Sequence, residues 1–346
     1  GTTDLIYLGR EQVQIWFNQA GNSWSDLHQL RSFPLVDNLT SVQTVDLLGN
    51  GTACLVWSSP LPGATHQQMQ YIDLMGGQKP HLLRGIKNNL GAETKLYYAA
   101  STKFYLADKA AGKPWITKIP FPVHVVERVE TLDHISGNKF VSSYRYRHGY
   151  FDGEEREFRG FGYVEQLDTE TFEVFQDKGV TNATDESLHI PPILTKTWFH
   201  TGFYLDREHI SQLFAEEYYT GDAQAILLPD TILPGGLSSQ EEREACRSLR
   251  GQILRQEVYA LDELEQAEHP YTVTESNYDI RLVQPLVNER YAVFFTHPRE
   301  SIAYQYERNP DDPRIAHQIT LEVDEFGNVL KSVAIAYPRR TPEHPE

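Results

Sequence analysis

At 346 residues the chain exceeds most single compact domains, so at least two units are expected. Its hydrophobic content of 40% supports sizeable cores and excludes a disordered chain, and aromatics at 12% lean it towards β structure. Acidic residues outnumber basic ones 48 to 31, a formal charge of −17; that field disfavours phosphate backbones and anionic surfaces, so no nucleic acid partner and no direct membrane insertion are expected.

The chain opens on a repeat. Residues 1–7 (GTTDLIY) resemble residues 51–57 (GTACLVW), each a turn feeding a short strand. Spacings of about 40–50 residues are typical of propeller blades. Val13, Ile15 and Phe17 alternate in a second strand after the first copy. One blade cannot bury its own faces, so further blades are expected upstream. The start, residues 1–8, has no basic region followed by an apolar run, so no signal peptide is expected in this segment. The Pro-rich exit at residues 58–63 (SSPLPG) sets the expected domain boundary, giving a propeller portion over 1–62 and a second region over 63–346.

Beyond it, strands are expected over residues 81–86 and 94–98, around Asn88-Asn89-Leu90-Gly91. Ser101 is expected to cap a short helix reaching Ala110. Residues 123–165 read as β-hairpins, with a Gly137-Asn138 turn and a type I′ turn at Asp152-Gly153. Ile210, Leu213, Phe214 and Tyr218 lie at helical spacing and predict a helix over 206–219. Residues 227–239 are loop. Ser239 and Glu242 match a capping box, opening a helix that ends at Gly251. A strand over 253–259 and a hairpin turning at 324–328 complete the pattern, a mainly β chain with two or three short helices.

No stretch assembles catalytic chemistry. The loop at Asp46 offers one carboxylate where a calcium-binding blade loop needs several, and Cys54 occupies the last ligand position. The thirteen histidines lack zinc-ligand spacing and read as surface or sheet-packing residues. Carboxylate pairs such as Glu216-Glu217, Glu241-Glu242 and Asp311-Asp312 read as solvated acidic faces rather than a glycosidase pair. Cys54 and Cys246 are too few for a disulfide framework, and Cys246 has no oriented base. Glycines at 149, 153, 160 and 162 punctuate strands and open no phosphate-binding helix. No catalytic, cofactor-binding or metal residue is therefore assigned, and no cofactor is expected.

Longer blocks carry a resemblance. Residues 120–126 (PFPVHVV), 146–153 (YRHGYFDG) and 155–162 (EREFRGFG) form the first. Residues 249–251 (LRG), 254–259 (LRQEVY) and Asp262 form the second, residues 306–310 (YERNP) with 312–315 (DPRI) the third, and residues 324–332 (DEFGNVLKS) the fourth. This pattern resembles the middle region of the B component of the insecticidal toxin complexes, the TcB or TcaC-like subunit. The resemblance implies an FG-GAP/VCBS-like β-propeller end over 1–62 and an Rhs-type shell wall over 63–346. It implies a propeller gate docking onto the pentameric TcA channel, and a hollow shell built with TcC around a toxic enzyme carried by TcC. Enzymatic activity belongs to TcC in that family, so no catalytic residue transfers to this chain. The implied setting is a secreted complex assembled in the bacterial cytoplasm. Two other readings compete: a propeller-type glycan-binding or adhesin module, drawing on Trp16, Trp24 and Trp57, and a hydrolase using two of the carboxylates.

Overall fold

A computed structural model describes residues 3–9, 12–34, 36–62, 66–169, 191–207, 209–262, 264–287 and 289–341. The chain divides into two compact units: Gly1–Leu82 with Phe121–Val123, and Leu83–Pro120 with His124–Glu346.

The first unit is built from short antiparallel strands. They are β1 (Leu5–Leu8), β2 (Val13–Trp16), β3 (Asn18–Gln19), β4 (Ser23–Trp24), β5 (His28–Leu30), β6 (Ser41–Val45), β7 (Cys54–Ser58) and β8 (Met69–Asp73). Two three-stranded sheets form, ordered β1-β2-β5 and β6-β7-β8, with β3 and β4 pairing separately. Each repeat copy feeds a strand, β1 and β7, although Gly1 and Thr2 lie outside the described residues. One apolar cluster joins the two sheets, with Val13, Ile15, Leu55 and Trp57 at its centre. β8 pairs with β7 along its whole length, so this unit runs past the Pro-rich exit to Leu82. Gly63, the end of that exit, lies outside the described residues. The Asp46 loop closes on itself: the Asp46 carboxylate accepts the Asn50 N–H at 3.0 Å and the Gly51 N–H at 2.7 Å.

Among the described residues, the second unit holds one antiparallel meander of eleven strands. In chain order they are β9 (Gly85–Lys87), β10 (Ala92–Ala100), β11 (His124–Asp133), β12 (Asn138–Asp152), β13 (Glu157–Thr169), β14 (Ile193–Phe199), β15 (Ile253–Ala260), β16 (Thr272–Gln284), β17 (Val293–Gln305), β18 (Arg314–Val323) and β19 (Val329–Ala336). Every strand pairs with its sequence neighbour, which keeps connections local. Helix α1 (Ser101–Ala110) links β10 to β11, and α2 (Ser239–Ser248) lies between β14 and β15.

Several local expectations shift. The N-cap of α1 is Ala100, without a side-chain cap bond, and Ser101 is the first helical residue. The capping box of α2 is one residue earlier than its sequence pattern: Ser238 and Glu241 bond reciprocally. Leu249 is the C-cap of α2, and Gly251 follows in the left-handed region at φ +84°. The β12–β13 turn is not type I′, because Gly153 does not adopt positive φ. Arg156 does, and the Asp152 carboxylate bends the loop by accepting the Glu154 and Glu155 N–H groups, both at 3.0 Å. The helix expected over 206–219 does not form. Its helical spacing is spent on an irregular segment with one 3-10 turn, Ala215–Glu217, in which Phe214 is buried against Tyr163, Trp198 and Leu254. Tertiary burial has overridden the local period.

Gly202 shows how tightly the segment after β14 is fixed. It adopts φ +72°, and an added Cβ would lie 2.9 Å from the Arg247 Cα and 3.2 Å from the Cys246 carbonyl oxygen, backbone atoms of α2 that cannot rotate aside. Its own carbonyl accepts Arg159 Nη1 at 2.9 Å. Gly202→Ala is therefore expected to cost about 2–4 kcal/mol from left-handed strain plus overpacking, read by urea unfolding; a cost under about 0.5 kcal/mol would refute the contact.

Candidate functional site

Direct cross-strand partners place their side chains on the same face of a sheet. The register from β13 to β19 therefore defines two rows. One runs Tyr163, Trp198, Arg255, Glu275, Ile302, His317, Ile335. The neighbouring row on the opposite face runs Val164, Thr197, Gln256, Thr274, Ala303, Ala316, Ala336. The first row is aromatic, charged and large. The second is small and carries no charge.

The large face is covered by a strap, residues 209–231, which crosses it without regular structure apart from the single 3-10 turn. A buried irregular segment leaves backbone donors that need partners. The sheet supplies several of them as carboxylates. Glu257 accepts the Tyr219 N–H and Glu275 accepts the Leu228 N–H, each at 2.8 Å. Within the strap, Asp230 accepts the Ile210 N–H at 2.9 Å, and Asn277 of the sheet donates to the Pro229 carbonyl at 2.9 Å. Tyr304 bonds both the N–H and the carbonyl of Ile226. Leu228 then seals against Val273, Ile302, Tyr304 and Tyr306.

Arg255 balances the buried Glu257 and the partly buried Glu275. Its guanidinium meets Glu257 at 2.8 Å and Glu275 at 2.7 Å, and lies 4.7 Å from the Tyr218 ring. Tyr259 donates to Glu257 at 2.7 Å, so both oxygens of that carboxylate are engaged. Burial pushes the Glu275 carboxyl above its usual range even with Arg255 beside it. Burial opposes the Arg255 charge too, but the two glutamates outweigh it and hold the guanidinium above its ordinary value. Buried charges of this kind are tolerable only when each is paired.

A second cluster surrounds Glu217 in the strap. His148, fully buried, bonds Glu217 Oε1 at 3.0 Å, Arg147 reaches the same oxygen at 3.0 Å, and Trp198 Nε1 donates to Oε2 at 3.3 Å. Burial would raise this carboxyl, but the His148 and Trp198 hydrogen bonds and the charge of Arg147 outweigh it and hold it low.

The blocks that carry the family resemblance are pinned by these and similar pairs. Asp152 of the first block holds Arg159 at 2.9 Å. Arg308 of the third block clamps Asp262 of the second with two bonds, at 2.5 and 2.9 Å. Arg340 clamps Asp222 in the same bidentate way, at 3.0 and 2.9 Å, and Tyr306 donates to Asp222 at 2.9 Å. Such forks fix geometry as well as charge.

This corrects the reading of the carboxylate pairs as solvated faces. One member of each goes inward: Glu242 and Asp312 are buried, and Glu217 enters the His148 cluster, while Glu216 and Asp311 stay exposed. The signal was present in Arg255-x-Glu257-x-Tyr259, where the period of two puts three polar groups on one face of a strand. Cys54 and Cys246 are both free and buried, and burial raises the Cys246 thiol to about 12. Among the described residues, no group of three His, Cys, Asp or Glu side chains is arranged to hold a metal ion. No helix among them is long and apolar enough to cross a membrane.

Two family models match the chain: the insecticide toxin TcdB middle/N-terminal region over residues 34–202, and the TcdB middle/C-terminal region over residues 244–346. The chain belongs to the TcdB insecticide toxin family. Solved structures agree. A TcdB2-TccC3-Cdc42 crystal structure matches with 35% identity and a TM-score of 0.84, covering 100% of this chain and 16% of that one. The Photorhabdus luminescens Tc holotoxin pore with a TccC3 mutation matches with 36% identity and a TM-score of 0.83, covering 99% and 16%. TcdB2-TccC3 without its hypervariable C-terminal region gives 36% and 0.83, covering 100% and 16%. The chain thus spans 16% of the length of the solved chains it matches. No curated protein sequence matches it. The strap lies between the two stretches matched by the TcdB models, while its carboxylate receptors Glu257 and Glu275 lie inside the second.

Proposed function

We propose that this chain is a non-catalytic wall segment of a toxin B subunit, which joins a TcC-type partner in a hollow shell around a toxic cargo enzyme. Its first unit is the end of a propeller that gates the shell and docks onto a TcA-type channel. The relatives it matches along its whole length were solved with TccC3, and one within a Tc holotoxin pore. The carrying observation is the unlike chemistry of the two rows that β13 to β19 present on opposite faces. A container wall needs one face sealed into the structure and another that does not hold an unfolded polypeptide. The row Val164, Thr197, Gln256, Thr274, Ala303, Ala316, Ala336 suits the second role, because it offers no charge to pair and no large apolar side chain to grip, in a chain whose net charge is −17.

We assign this small neutral row to the enclosed side. The test uses the full B subunit carrying Thr274→Cys, alone and assembled with its TcC-type partner. A bulky maleimide should modify the free subunit and react at least about tenfold more slowly in the assembled particle, since closure removes access; labelling is read at residue 274 by peptide mapping, and Cys54 and Cys246 are buried. Equal labelling in both states would place the row outside and sink the assignment. Failure of the subunit to bind either partner would sink the whole reading.

A further inference from the structure

The geometry points to His148 as an acid-released latch that holds the loop after α1 on the sheet. The residue is fully buried and sits at φ +55°, a left-handed conformation unusual for a side chain of this size. Its ring joins two irregular segments. On one side the Ile116 N–H donates to Nδ1 at 3.0 Å, and the Thr117 hydroxyl donates to the His148 carbonyl at 2.8 Å. On the other side Nε2 meets Glu217 Oε1 at 3.0 Å, and the Phe214 ring stacks at 4.9 Å.

These partners fix the tautomer. A backbone N–H can only donate, so Nδ1 must be a bare acceptor and the single proton must sit on Nε2, where it donates to Glu217. A second proton has only Nδ1 to go to. There it would face the Ile116 N–H, donor against donor, and that bond is lost. The Nε2–H bond to Glu217 survives and gains charge assistance. Protonation therefore acts on one side only: it breaks the Ile116 bond, loosening the loop there, and tightens the strap around Glu217.

Charged groups face the ring from several elements. Glu217 of the strap meets Nε2 at 3.0 Å. Arg147 of β12 pairs with the same Glu217 oxygen at 3.0 Å and with Asp108 of α1 at 3.4 Å. Asp108 is itself held by the Trp115 indole at 2.8 Å and by Arg145 at 3.0 Å. Tyr163 of β13 faces the cluster through its contact with Arg147, and its hydroxyl is committed to Glu165 at 2.8 Å. Gly149 and Gly162 leave the space that Ile119 and Phe214 fill against this site.

The test is hydrogen exchange followed by mass spectrometry on the full B subunit, from about pH 7.5 to about pH 5, corrected for intrinsic exchange. Peptides covering 113–119 should lose protection by roughly tenfold per pH unit once the ring charges, and peptides covering 213–219 should not. His148→Asn tolerates positive φ and offers an oxygen to the Ile116 N–H, but cannot titrate, so its loop should stay protected across the range. Glu217→Gln keeps an acceptor for Nε2 while removing the charge that favours the imidazolium, so release should move to lower pH. Acid release that is unchanged in both variants, or that opens loop and strap together, would overturn the latch.

Discussion

Replacing Arg255 by methionine lowers the unfolding free energy by about 3–5 kcal/mol, the range for removing one partner of a buried ion pair. The loss is not mainly the pair's attraction. Methionine leaves the buried Glu257 and the partly buried Glu275 without the Arg255 cation, while both still hold strap N–H groups at 2.8 Å. The carboxyl of Glu275 is already raised by burial, and without Arg255 it rises further. The variant should therefore recover stability relative to the parent as pH is lowered and Glu275 takes up a proton. Adding Glu275→Gln should restore part of the loss at neutral pH. Urea unfolding of the single and double variants measures both effects, and additive losses, with no coupling between positions 255 and 275, would show that the triad is not a unit.

Below neutral pH the chain loses stability through His200. This ring is buried, packs edge-on to Tyr278 at 5.8 Å, and its Nε2 has no hydrogen-bond partner among the described residues. Burial lowers its pKa from 6.5 to about 3. Between those values the unfolded chain binds a proton on this ring and the folded chain does not, so stability falls as pH falls through that window and is fully present above it. The whole span corresponds to about 5 kcal/mol, spread over the acid range. His200→Phe keeps an aromatic ring against Tyr278 and removes the titration. Its stability should fall less steeply than the parent's between about pH 6 and about pH 4, a difference that cancels the carboxylates common to both. Parallel pH profiles would contradict the buried neutral state of His200.

The strands were legible because alternation survives in them: the hairpin at 324–328 and the strand from Ile253 onward read correctly from period and turn residues alone. The strap was not, because its apolar residues happen to fall at helical spacing while the backbone is held by side chains far along the chain. Tyr219 depends on Glu257, and Leu228 on Glu275, contacts that no local window contains. The same distance hid the site. Glu217 reads as one of two adjacent acids until β12 brings His148 and Arg147 to it. The blocks of resemblance pointed to the family, while their physical role became visible only when Asp262 met Arg308 and Asp152 met Arg159 across strands.

If the sheet is a container wall with its small neutral row inward, a density map of the full B subunit bound to its TcC-type partner tests it most directly. The expected map holds a closed cavity bordered by the eleven-stranded sheet, with Thr197, Gln256, Thr274 and Ala303 lining it and the strap from residue 209 to 231 on the far side. A map with no enclosed cavity, or with the strap and the Arg255 layer facing the cargo, would contradict it.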